Sequence, residues 1–187
     1  MIAETERLIL RNWRPSDEDA FHRLNSDETV MAFFPFRRDR QQSREVMDRI
    51  MREINETGYG FGALQTRDDE TAIGFMGLSI PTNLEPHVPR GIIEIGWRLV
   101  PEAWGKGYVT EAARELLRIG FEEHGLDQVV AFAVPENVRS TAVMDRIGMR
   151  HQPSRDFDHP FVPDSHVHLR RHAYYAVTAP EWLARRG

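Results

Sequence analysis

A turn punctuated by two glycines, Trp104-Gly105-Lys106-Gly107-Tyr108, constrains this chain more than any other segment. Ahead of it, Gly91 to Val100 carries Ile92, Ile93, Ile95, Trp97 and Leu99, a strand pattern that Pro101 ends because proline cannot donate to a sheet ladder. Behind it, from Tyr108 to His124, the residues Val109, Ala112, Ala113, Leu116, Leu117, Gly120 and Phe121 recur at helical spacing, and His124-Gly125 closes the segment. A strand that turns on glycines straight into an amphipathic helix gathers unobstructed backbone N–H groups at the positive end of a helix dipole. That is a cradle for a phosphate. Other phosphate motifs do not fit: a P-loop would need glycine where Val100 stands, and a dinucleotide fingerprint would need one at Thr110.

The rest of the chain surrounds this turn with a mixed pattern. Arg7 to Trp13 alternates as a strand, and Ser16 is placed to cap a helix whose third residue is Asp19. Asp39 to Thr57 predicts a second helix, with Val46, Ile50 and Ile54 on one face, Met47 and Met51 beside them, and Gly58 at its end. Tyr59 to Gln65 and Thr71 to Ile80, joined by a polar turn, read as a hairpin, and residues 81 to 89 as a loop. Gln128 to Val134 is a short buried strand, Asn137 to Ile147 a helix ended by Gly148, and Leu169 to Val177 a last strand. His151 to Ser165, rich in proline and histidine, reads as a surface loop. Helices that alternate with strands, together with hairpins, predict a mixed sheet flanked by helices.

Composition narrows the chemistry. The 187 residues suit one domain, 1–187, and 41% hydrophobic against 28% charged residues suits a real core. There is no cysteine, which removes disulfides, thiolate metal sites and covalent cysteine intermediates. A net charge of -5 without long basic runs argues against nucleic acid. The apolar runs are far shorter than the roughly 20 residues that span a bilayer, and Glu4, Glu6 and Arg7 stand where a signal peptide would be apolar. Residence in the cytoplasm, with no membrane partner, is the expectation.

Some 30 residues after the glycine turn comes Pro135-Glu136-Asn137-Val138-Arg139-Ser140, opening a helix, and then Arg146-Ile147-Gly148-Met149. With Glu4-Thr5-Glu6-Arg7-Leu8 at the start and Trp104 to Ala112 between, the chain resembles the GNAT N-acetyltransferase superfamily, in particular its RimJ/RimL-like branch, over almost its whole length. The resemblance implies a mostly antiparallel, seven-stranded α/β sheet that splays to admit coenzyme A, and direct transfer of an acetyl group from acetyl-CoA to an amine. It implies that the amides of Gly105, Lys106, Gly107 and Tyr108 bind the pyrophosphate, while Trp97, Arg98 and Leu99 run along the pantetheine arm. Asn137 then caps its helix beside that arm, and the Ser140 hydroxyl meets the thiol sulfur. The acceptor is a small-molecule amine or a protein N-terminus, and a homodimer is in keeping with the family. Two departures stand out: Glu102 replaces the arginine or glutamine usual at the head of the loop, and Met144 stands where many members place a tyrosine acid. Loss of that acid leaves a non-catalytic acyl-CoA-binding module as the alternative.

An amine attacks only when neutral, and a lysine-type amine of pKa about 10.4 is less than a thousandth neutral at pH 7. Glu94, on the strand that leads to the turn, is the candidate base, its pKa raised if apolar neighbours enclose it. Strand alternation puts Glu94, Gly96 and Arg98 on one face, so a surface pair of Glu94 with Arg98 is the plainer alternative. His159, His166, His168 and His172 invite a metal reading, with His166 and His168 on one face of a strand, but no carboxylates at metal spacing accompany them, and no metal is expected. Phe33-Phe34-Pro35-Phe36 reads as core or as a lid over the acceptor.

Overall fold

The computed structural model, described over residues 3–185, divides by its internal contacts into one unit of residues 3–79 and 96–116 and a second of residues 80–95 and 117–185. In the first unit β1 (Ala3–Glu4), β2 (Leu8–Arg11), β3 (Gly62–Thr66) and β4 (Asp69–Ser79) pair antiparallel in that order. The β3–β4 hairpin closes at Thr66↔Asp69, as its polar turn foretold. Two helices, α1 (Glu18–Ser26) and α2 (Arg40–Thr57), belong to this unit. Asp39 and Gln42 cap each other at the head of α2, and Gly58, at φ +76, ends it in the left-handed conformation that glycine adopts without cost. The buried stripe of α2 is Ser43, Met47, Ile50 and Ile54, so Met47 is a core residue and Met51 lies at its margin.

Ser16 does not cap α1. It sits inside a 3-10 turn, Pro15–Asp17, and the Asp17 carboxylate takes over the start of the segment, accepting from the Arg14 amide at 2.8 Å. The reason lies six residues back: the buried Arg11 guanidinium grips Asp17 through both of its terminal nitrogens, at 2.6 and 2.9 Å, while its Nε donates to Gln65. A buried pair of this kind is costly to break, because removing one partner strands the other charge.

The second unit is built on β6 (Gln128–Ala133), which pairs antiparallel with β9 (Arg171–Thr178) and parallel with the first residues of β5 (Ile93–Leu99) at Ile93↔Val129 and Glu94↔Val130. Two short strands, β7 (Arg150–His151) and β8 (Phe157–Asp158), add to β9. The helices here are α4 (Val138–Arg146) and α5 (Ala179–Leu183). The division in sequence falls within β5, whose last four residues belong to the first unit, and within α3 (Tyr108–Arg118), which buries Ala112, Ala113, Leu116 and Leu117 and continues into a π-helical turn, Ile119–Glu123.

The sheet is mixed and mostly antiparallel, as expected, but nine strands are present among the described residues rather than seven. Three of the nine, β1, β7 and β8, are two-residue strands, which sequence periodicity cannot register. Two of them overturn the reading of residues 151–165 as surface loop: Phe157 pairs with His172 across β8–β9 and is 3% exposed, in a core with Leu84, Val88, Val130, Tyr174 and Ala176. His166 and His168 lie in a 3-10 segment, Asp164–Leu169, and not on a strand.

Candidate active site

The glycine turn forms in the first unit. Pro101–Ala103 makes a 3-10 turn after β5, and α3 starts at Tyr108. Gly105 and Gly107 both lie at positive φ, +73 and +79, which a side chain-bearing residue rarely adopts. A Cβ on Gly105 would meet nothing within 4 Å, so the main chain there faces open space. The N–H groups of Gly105, Lys106 and Gly107 donate to no backbone carbonyl among the described residues. Three free amides ahead of a helix start fit a pyrophosphate. Trp104 ties the turn to β5 by donating its indole N–H to the Leu99 carbonyl at 2.9 Å. Trp97, Arg98, Leu99, Gly105, Lys106, Gly107 and Tyr108 thus all lie in one unit.

Residues near the N-terminus, with no role expected of them on sequence grounds, brace the turn. Arg7 donates through Nη1 to the Lys106 carbonyl at 3.1 Å, through Nε to Glu111 at 2.6 Å, and lies over the Tyr108 ring. The other oxygen of Glu111 accepts from Thr5 Oγ1 at 2.6 Å and from the Arg7 amide. Burial pushes the Glu111 carboxyl up, but these bonds from Thr5 and Arg7 more than reverse it and hold its pKa below the ordinary value. Glu102 pairs with Arg23, outside the turn proper.

In the second unit Asn137 caps α4, its side-chain oxygen accepting from the Ser140 amide at 3.3 Å. The Ser140 hydroxyl has no hydrogen-bond partner among the described residues and is partly exposed, so it is free to engage a ligand. Met144, one turn further, is buried and packs as core. Glu94 is partly buried on β5, and desolvation pushes its carboxyl up to about 8. Arg98 forms no ion pair: it bonds Asn25 instead, and its charge faces no carboxylate among the described residues.

Three histidines, His87, His159 and His172, cluster around Phe157. His159 and His172 lie 4.8 Å apart by ring centroids, with Phe157 stacked on both and His87 stacked on Phe157. Burial first, then the neighbouring imidazoles of His172 and His87, depress His159 to about 4. Among the described residues no three potential ligands are grouped to hold a metal ion. No described helix is long and apolar enough to cross a membrane.

Comparison with known proteins gives a consistent answer. The profile of the acetyltransferase (GNAT) domain matches residues 7–150. An uncharacterized N-acetyltransferase of Bacillus subtilis, YnaD, is 28% identical over 182 residues, 97% of this chain and 99% of its own. An FsC-acetyl coenzyme A-N(2)-transacetylase of Aspergillus fumigatus is 33% identical over 130 residues, 66% of this chain and 53% of its own. The crystal structure of a GNAT-family acetyltransferase from Bacillus anthracis superposes with a TM-score of 0.78 at 26% identity, covering 96% of this chain and 99% of that one.

Proposed function

Because the chain belongs to the GNAT acetyltransferase family, we propose that it moves the acetyl group of acetyl-CoA to a primary amine by direct attack within a ternary complex, with residues 1–187 acting as one RimJ/RimL-like domain. The observation that carries this reading is the turn at Gly105 and Gly107, whose positive φ values favour glycine and whose unbonded amides precede a helix start, with open space at Gly105 for a pyrophosphate. Acetyl-CoA supplies an activated thioester, whose carbonyl carbon the amine nitrogen attacks while the carbon–sulfur bond breaks.

The chain's own residues divide the remaining work. The main chain of Gly105, Lys106, Gly107 and Tyr108 holds the donor's pyrophosphate, and Trp97 to Leu99 line its arm. Glu94, its carboxyl held near 8, takes the proton that the attacking nitrogen sheds once ionised above that value. Ser140, with an uncommitted hydroxyl at the head of α4, donates a hydrogen bond to the departing sulfur, a role that Met144 cannot fill. The lack of cysteine suits both a reducing cytoplasmic setting and transfer without an acyl-enzyme.

The test is a screen of amine acceptors with acetyl-CoA that reads thiol release, followed by initial rates at several fixed acceptor concentrations. Release with intersecting double-reciprocal lines is expected. Tight acetyl-CoA binding without release for any amine would point to the non-catalytic module, and parallel lines would defeat direct transfer.

A further inference from the structure

The first unit contains a cationic centre whose charge the acetyltransferase reading does not use. Arg98 leaves β5 to donate through Nη1 to Asn25 Oδ1 at 2.9 Å. Arg38 donates to the same oxygen at 3.0 Å, and its backbone N–H reaches the Asn25 carbonyl at 2.9 Å. Two guanidinium groups therefore converge on one neutral amide oxygen. The Arg98 group is enclosed by aromatic rings, its carbon lying 4.1 Å from the Phe34 centroid and 4.9 Å from that of Phe75. Its Nε is buried and bonded to nothing, and its Nη2 has no partner among the described residues.

Among the described residues no acid pairs with the arginines of this centre. The Asp27 carboxylate is occupied by the amides of Thr29 and Val30, and Glu102 is taken by Arg23. Arg37 spends its donors on the carbonyls of Phe34, Phe36 and Glu28. Burial, followed by repulsion from Arg38 and Arg37, depresses Arg98 to about 9. Burying a guanidinium without a counter-charge is costly in a folded chain, and the cost is recovered when an anion binds. The planar fork of arginine matches a carboxylate through two parallel hydrogen bonds.

We propose that Arg98 and Arg38, oriented by Asn25 and flanked by Phe34, form a subsite for a carboxylate carried by the acceptor, so that the acceptor is a small amine that bears a carboxylate. Placing that carboxylate on the acceptor rests on the acetyltransferase reading, whereas the anion site itself stands on the geometry alone. Phe34 is thus a wall of this subsite, and the Phe33-Phe34-Pro35-Phe36 segment belongs to acceptor recognition.

The experiment titrates the full chain with propionate, propionamide and inorganic phosphate, probes that carry no amine, and in parallel compares α-amino acids with their carboxamides as acceptors. Propionate should bind and propionamide should not, and amino acids should exceed their amides in kcat/KM by about 10- to 100-fold, the worth of a charge-assisted pair. Arg98→Met and, should that variant fold poorly, the less buried change Arg38→Gln should each remove most of that preference and weaken propionate. If propionate binds but no amine is acetylated, the catalytic reading falls and the anion site stands. If amines are acetylated but propionate does not bind, or amides and peptide N-termini serve as well as amino acids, the subsite falls alone. Phosphate binding in place of propionate would overturn the carboxylate assignment.

Discussion

In the proposed reaction, single residues decide whether the donor is held and whether the thiol leaves. At Gly107, φ of +79 disfavours branched side chains at a cost of about 1–2 kcal/mol, and a Cβ would lie 3.6 Å from Arg7 Nη2, against the side chain that braces the turn. Gly107→Val should raise the Kd for acetyl-CoA by about 10- to 100-fold in calorimetry, the worth of lost charge-assisted hydrogen bonds, while the melting temperature falls only a few degrees. Ser140→Ala removes a hydroxyl that bonds nothing among the described residues, so folding should be unaffected while kcat drops by about 10- to 1,000-fold with little change in acetyl-CoA affinity. Glu94 gives the pH dependence its sign. Its carboxyl keeps a proton up to about 8, so with an acceptor whose own amine titrates elsewhere, kcat/KM should climb through neutral pH, level above 8, and lose that limb in Glu94→Gln. The same raised pKa makes the unfolded chain, ionised from about 4.5, the weaker proton binder, so stability should fall between pH 4.5 and 8 in the native chain and not in the Gln variant.

Elements form where the sequence said, wherever the signal was local. The strand into β5, the capping box of α2 and the stop at Gly58 are written in neighbouring residues, and Gly105 and Gly107 are legible because only glycine meets the φ that their turn requires. Partners distant in sequence account for the misreadings. Ser16 does not cap α1 because the segment is set by Asp17, whose carboxylate is held by Arg11, itself bonded to Gln65, and β8 stayed hidden because its ladder partner arrives 13 to 15 residues later in β9. Arg98 read as a surface charge because Asn25, Phe34 and Phe75, which enclose it, are far away in the chain. The brace on the donor turn is of the same kind, since Thr5 and Arg7 reach α3 across about a hundred positions. Arg7→Met should free Glu111 and the Lys106 carbonyl and raise the KM for acetyl-CoA several-fold, with kcat for a saturated enzyme largely kept. An equal fall in kcat would instead place Arg7 in the chemical step.

For the whole molecule, composition and fold point the same way. Without cysteine the chain has no thiol to trap an acyl group, and its positive charge is carried almost entirely by arginine. Lys106 is its only lysine, and it is exposed between the two glycines of the donor turn. The protein therefore has one side-chain primary amine, placed where coenzyme A is proposed to rest. An amine-selective reagent should mark that position and no other side chain, and intact-mass measurement should show the labelling slowed by coenzyme A in proportion to occupancy. Unslowed labelling at saturating coenzyme A would place the pyrophosphate elsewhere. The unaltered chain thus carries its own single-site footprinting probe, able to report donor binding before any acceptor has been identified.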